Sequence, residues 1–204
     1  MKEPNNFTDI KNIDLTQFSK GIDLSHNNGI LTQMTWNLIK GLGIEFLYHK
    51  LTEGEYFKDP ACKTNVTTAK TNGLKTGYYH FVHTDTDFNA QIKNINDSLK
   101  LMPNSDLPFV LDFEVTKVSK DDNLTCLTSF INLFPGSLIY STKSFLDSNL
   151  PDNHGLTQNL WLARYNFDYN SLVMPNGWND FLVWQFTSQG KINGKCYDLD
   201  LMKK

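Results

Sequence analysis

Arginine is nearly absent from this chain: Arg164 is the only one in 204 residues, and the other basic side chains are lysines. With a formal net charge of -3 and no run of like charges longer than two, the sequence carries no electrostatic footprint for nucleic acid and no polybasic patch for a membrane surface. No 18 apolar residues run together, which excludes a spanning helix. The opening "MKEPNNFTDIKNIDLTQFSK" lacks the apolar run of a signal peptide, so a product made in the cytoplasm is expected. Cysteines are few and scattered. Cys62, Cys126 and Cys196 form no CxxC and no Cys/His zinc spacing, and are read as free thiols, with a disulfide between two of them as the alternative. A phosphate-cradling glycine loop and a GxSxG nucleophile elbow are also missing. His80 and His83, three apart on a strand, would face opposite sides and share no metal.

What the chain has is apolar and aromatic bulk. Forty per cent of residues are hydrophobic and 13% aromatic, enough for one sizeable core. Residues 1–20 are polar and aperiodic and read as an N-terminal arm, leaving 21–204 as a single domain. Strand-like runs fall at 21–25, 45–51, 75–82, 108–115, 137–142, 160–165, 181–187 and 196–201. Helical spacing fits 32–41, 59–72, 85–101 and 121–133, with an Asp or Thr cap before the third and Pro60 in the first turn of the second. After about residue 135 the gaps shorten and helical periodicity fades. Eight strands with helices in the first two thirds suggest an α/β fold, an irregular barrel with its chemistry at the C-terminal strand ends.

One of those strands, "LPFVLDFEV", holds two carboxylates. Residues two apart on a strand share a face, so Asp112 and Glu114 project together, opposite Leu111, Phe113 and Val115. Two readings stay open at this point. The pair is either the solvated face of an edge strand or, inside a barrel, a desolvated couple in which one carboxyl keeps its proton beside an ionised partner. The second supplies the acid that glycosidic cleavage needs. Asp23 and Asp198 sit in similar strands, while Glu53, one of five glutamates, reads as a brace pairing with a lysine. Tyr48, Tyr79, Tyr140, Trp161, Tyr165 and Trp184 lie near the same strand ends, divided between core packing and the amphipathic walls a saccharide cleft uses. His49 reads as structural and His80 as orienting a neighbour by hydrogen bonding.

Taken in order, "GIDLSHNNG", "FLYHKLTEGEYFKDP", "AKTNGLKTGYYHF", "LPFVLDFE", "LIYST", "LWLARY" and "WQFTSQGKINGKCYDLDL" resemble the family 25 glycoside hydrolases, the Chalaropsis-type lysozymes or N-acetylmuramidases. The resemblance runs from Gly21 almost to the last residue. It implies an irregular TIM-like (β/α)5(β)3 barrel and cleavage of the β-1,4 bond between N-acetylmuramic acid and N-acetylglucosamine in peptidoglycan. Glu114 is the implied acid and base, and Asp112, Asp23 and Asp198 complete the implied catalytic set. Tyr79, Tyr140, Trp161, Arg164 and Gln185 fall in matching segments as substrate contacts, and no metal or cofactor is implied. Asp200, where the family usually has Asn, and His49, where it often has an apolar residue, are departures. The partner expected is the bacterial glycan strand, met by a monomer without nucleic acid or membrane insertion. Action on a wall would then follow release as a phage lysin or delivery by a non-classical route. The rival readings are a carbohydrate-binding pseudoenzyme on the same barrel and a chitin-directed hydrolase.

Cα atoms two apart on a strand lie about 6.5 Å from each other, wider than the ~5–5.5 Å carboxyl separation of a direct double-displacement pair. An N-acetylated sugar offers another route through its own acetamido oxygen, which would give net retention.

Overall fold

The computed structural model describes residues 3–204. Eight strands close into a barrel: β1 (Phe18–Leu24), β2 (Ile44–Glu53), β4 (Lys75–Phe81), β5 (Val110–Asp112), β6 (Leu138–Thr142), β7 (Leu160–Ala163), β8 (Val183–Ile192) and β9 (Lys195–Lys203). A two-residue strand, β3 (Phe57–Lys58), folds back on the end of β2. Neighbours run parallel from β1 through β2, β4, β5, β6 and β7 to β8. The exception is β9, which lies antiparallel between β8 and β1 and closes the ring.

Five helices follow the first five barrel strands: α1 (Gln33–Gly41), α2 (Cys62–Thr71), α3 (Phe88–Leu99), α4 (Lys120–Leu133) and α5 (Lys143–Asn149). With three terminal strands lacking helices, this is the (β/α)5(β)3 arrangement. Thr32, Asp87, Ser119 and Thr142 each cap a helix by accepting a hydrogen bond from a first-turn backbone N–H. Helix α5 escapes a periodicity search because its seven residues span two turns. Pro60 sits one residue before the α2 cap rather than inside the helix.

Period two governs most of the barrel, interrupted by irregularities on β1 at Lys20–Gly21, on β2 at Lys50–Thr52 and on β8 between Gln185 and Gly190. On β2, Phe46 and Tyr48 point inward while Leu47 and Leu51 join the core beneath the helices. The interior is filled by Phe46, Tyr48, Tyr79, Val110, Leu138, Trp161 and Val183. Room for the two large β2 rings comes from glycine: Gly21 on β1 pairs with Phe46, and Gly77 on β4 pairs with Tyr48. A Cβ at either glycine would overlap the facing ring. Aromatic rings laid over cross-strand glycines thus fix how closely β1, β2 and β4 approach.

Two boundaries differ from the pattern-based expectation. Strand β1 begins at Phe18, and the polar segment before it lies against the barrel: Phe7 and Ile10 are buried, and Lys191 N–H donates to the Asn5 carbonyl. Strand β5 covers only Val110–Asp112, followed by one further bond from Phe113 N–H to the Tyr140 carbonyl, so Glu114 stands beyond the strand on the rim. Its alternation persists nonetheless, with Leu111 and Phe113 in the outer core.

Candidate active site

At the C-terminal mouth of the barrel a cleft of about 320 Å³ is lined by Asp23, Asp112, Glu114 and Asp198, with Lys50, Tyr79, Tyr140, Trp161, Tyr165 and Gln185 among its other walls. Each carboxylate arrives by the same rule: Gly21 and Asp23 share a face on β1, Val110 and Asp112 on β5, and Asp198 and Asp200 on β9. Antiparallel pairing sets Asp23 opposite Asp198, so the two ends of the chain meet at the site.

Burial is the leading influence on these acids. Asp112 is pushed well up by desolvation and then by the neighbouring Glu114, and Glu114 is raised by desolvation, with Lys50 opposing. Asp198 is pushed up to about 6, chiefly by burial and then by Glu3 and Glu114. Asp23 is raised by burial and by Asp198 and Asp200, while its bond from Gln185 opposes. A buried Asp112 beside the rim-standing Glu114, both carboxyls raised above their ordinary range, is an arrangement that suits a general acid.

Hydrogen bonds fix Asp23 most firmly. Gln185 Nε2 donates to Asp23 Oδ2 at 2.7 Å, and Gln185 Oε1 accepts from Tyr140 Oη at 2.9 Å and Tyr165 Oη at 3.1 Å. Gln185 is only 2% exposed, so it reads as the residue that aims Asp23, held by two tyrosines. By contrast, the Asp112 side chain accepts no hydrogen bond among the described residues, and its Oδ1 is buried without a partner. Tyr79 lies beside Asp23 and Asp112, whose charges add to burial in raising its hydroxyl.

Trp161 forms the floor. Its ring centroid lies 4.8 Å from that of Tyr48 and 5.2 Å from that of Tyr140, and its Nε1 donates to Asp200 Oδ1 at 3.0 Å.

Arg164 stands outside the cleft. Alternation along β7 puts Trp161 inward and Leu162 outward, and Arg164, on the Leu162 face, is exposed in a groove with Lys143, Asp147, Ala163 and Val173 that meets the cleft at Tyr165. Arg164 therefore stands beside the cleft rather than in its lining. Its backbone is well held, since its N–H donates to the Gln185 carbonyl and its carbonyl accepts from Trp184 Nε1.

Lys50 is the residue that motif reading passed over. It continues the Phe46–Tyr48 face of β2 toward the mouth, is 8% exposed, pairs with Glu53 at 2.7 Å, and lies 4.5 Å from the Phe81 ring centroid. The same spacing that grouped Asp112 with Glu114 would have found it. Because Lys50 favours the ionised form of Glu114, Lys50→Met should let Glu114 keep its proton to higher pH. The alkaline limb of the kcat/KM profile then moves upward, and a limb that stays or moves down would remove Lys50 from this role.

The remaining polar residues brace the frame. Glu53 bonds Lys50 and His83, His80 bridges Thr52 and Gln91, and His49 contacts Asn65 and the Lys50 carbonyl. All three cysteines are free thiols. No group of three or more His, Cys, Asp or Glu among the described residues is disposed to hold a metal ion, and no described helix is long and apolar enough to cross a membrane.

Comparison with known proteins sets this geometry in context. The profile of glycosyl hydrolases family 25 matches residues 22–195. Lysozyme M1 of Streptomyces globisporus is 27% identical over 201 residues, covering 90% of this chain and 67% of that protein. The autolytic lysozyme of Clostridium acetobutylicum is 26% identical, over 89% of this chain and 54% of its own length. The chain thus spans about half to two thirds of these curated relatives. Among solved structures, the CTP1L endolysin is 26% identical with a TM-score of 0.72, covering 90% of this chain and 65% of the other. The bacterial lysozyme from Streptomyces coelicolor shares the fold at 24% identity and a TM-score of 0.77, covering 91% and 92%. A match that covers residues 22–195, from the first barrel strand to the start of the last, makes this chain a member of glycosyl hydrolases family 25.

Proposed function

We propose that the chain is a peptidoglycan hydrolase, an N-acetylmuramidase that cleaves the β-1,4 bond between N-acetylmuramic acid and N-acetylglucosamine with net retention. The observation that carries this reading is the buried Asp112 and the rim-standing Glu114, which face one cleft with Asp23 and Asp198. Family membership and the lysozyme relatives support the substrate class. In this reading the barrel that opens with β1 at Phe18 is a single catalytic domain with residues 3–17 laid against it, and the enzyme acts on the wall as a monomer.

Glu114 gives its proton to the glycosidic oxygen as the C–O bond breaks. The substrate's acetamido oxygen attacks the anomeric carbon from the other face and closes an oxazolinium ring. The acetamido N–H supplies the donor that Asp112 lacks, so on binding the negative charge settles on Asp112 and a proton on Glu114. Glu114, now ionised, takes a proton from water, whose oxygen attacks the anomeric carbon and reopens the ring. Asp23 and Asp198 set the charge around the developing cation, and Tyr79 and Tyr140 line the ring's path.

Purified walls and chitin offered side by side, with mass analysis of the reducing ends, test the substrate. Release of fragments ending in reducing N-acetylmuramic acid is expected. Preference for chitin would establish the chitin-directed alternative, and binding without cleavage the pseudoenzyme. The first-formed anomer tests the route: retained β product is expected, and an inverted one eliminates acetamido participation.

A further inference from the structure

The groove that holds Arg164 adjoins the catalytic cleft at Tyr165, which lines both. It is the larger of the two, about 660 Å³ against about 320 Å³, and is built from the ends of β6 and β7 and from α5. Its two carboxylates already have donors. Asp147 accepts from Lys143 Nζ and from the Asn176 N–H at 2.8 Å, and Glu3 accepts from the Ser188 N–H at 2.9 Å and from the hydroxyls of Ser188 and Thr187. Arg164 differs from them. Its backbone is tied to the Gln185 carbonyl and to Trp184 Nε1, yet its exposed guanidinium enters no hydrogen bond or ion pair among the described residues. Gln185 is also the residue that aims Asp23, so the arginine and the catalytic carboxylates are held in one frame. A planar guanidinium fork left open in this way matches a carboxylate, which it binds through two parallel hydrogen bonds.

A glycan strand offers such a carboxylate only through its peptide. The sugar rings are neutral, and the lactyl carboxyl of muramic acid is consumed in its amide bond to the first residue, an alanine. The nearest acid on an intact strand is therefore the glutamyl residue that follows. We propose that the groove is a subsite for this acidic peptide, with Arg164 binding the glutamyl carboxylate and Val173, 61% exposed, giving the alanine methyl an apolar contact. A peptide that branches from a sugar held against Tyr165 enters the groove without crossing the rim. The proposal rests on the muramidase reading of the cleft and extends it: the enzyme reads the branch as well as the strand.

Arg164→Met removes the charge but leaves both backbone bonds, and because the side chain is exposed the variant should fold as the wild type does. Sonicated wall glycan with its peptides is compared with the same glycan stripped by an amidase. The wild type should prefer the peptide-bearing glycan. In Arg164→Met the ratio of the two kcat/KM values should fall about tenfold, through KM. Arg164→Lys, which has the charge without the fork, should recover part of that ratio. A second measurement needs no catalysis. Muramyl tripeptide amide, whose one carboxylate is on the glutamyl residue, and its fully amidated form are titrated into the full chain and followed by NMR at the Arg164 and Val173 signals. The wild type should bind the acid more tightly, and Arg164→Met should bind the two alike. An unchanged kcat/KM ratio in Arg164→Met overturns the proposal, as does a wild type that binds acid and amide alike or binds neither. Should the wild type cut neither glycan, the muramidase reading fails, while the titration still decides the groove.

Discussion

Glu114→Gln is expected to lower turnover on purified walls by about a thousandfold while leaving glycan binding within about threefold. The reason is specific to what the amide removes. Gln has nearly the volume of Glu and preserves the hydrogen-bonding reach, but it cannot give a proton to the leaving oxygen or take one from water. In the proposed reading ground-state binding relies instead on the walls of the cleft, Tyr79, Tyr140 and Trp161, which the substitution leaves in place. Turbidity loss measures the first quantity and sedimentation with cell walls the second. Wild-type turnover in the variant would strip Glu114 of the acid role. Loss of binding in parallel with activity would instead mean that the carboxyl is a substrate anchor.

The largest effect on stability is expected at Gly77. A methyl group there overlaps the ring of Tyr48, which is wholly buried beneath the cleft floor and cannot swing outward. Overpacking of this kind costs about 1–3 kcal/mol. For a chain of this size that corresponds to a fall in Tm of about 2–12 °C for Gly77→Ala. Thermal unfolding of the single variants and of Gly77→Ala combined with Tyr48→Leu forms a double-mutant cycle, and the smaller side chain should recover part of the loss. A Gly77→Ala protein that melts with the wild type would show that ring and strand separate freely, contrary to the account of the barrel interior.

The legible part of this molecule was its period of two. Alternation put Asp112 beside Glu114, and carried along β9 it puts Asp200 beside Asp198. It also separates Arg164 from Trp161, although shared membership in one motif had grouped them, because a motif records which residues travel together and not which face they occupy. Periodicity failed where elements were short. Seven residues of α5 give too few turns to establish a helical repeat, and the three residues of β5 end before Glu114. Gln185 could be placed at the site from sequence, but its task could not. That task depends on Tyr140, Tyr165 and Asp23, contributed by three other parts of the chain.

The hydrogen bond from Gln185 to Asp23 joins residues 162 positions apart, and Asp198 reaches Asp23 only across the closing pair of strands. Such contacts are the last a chain can make as it leaves the ribosome, because the amino-terminal strands emerge first and must wait for β8 and β9. Until β8 and β9 have emerged the sheet stays open, with β5 on an inner position between β4 and β6 and no Gln185 or Asp198 to meet Asp23. Assembly of the site is thereby tied to closure of the ring, since Asp23 meets its Gln185 donor and its Asp198 neighbour only when β8 and β9 are in place.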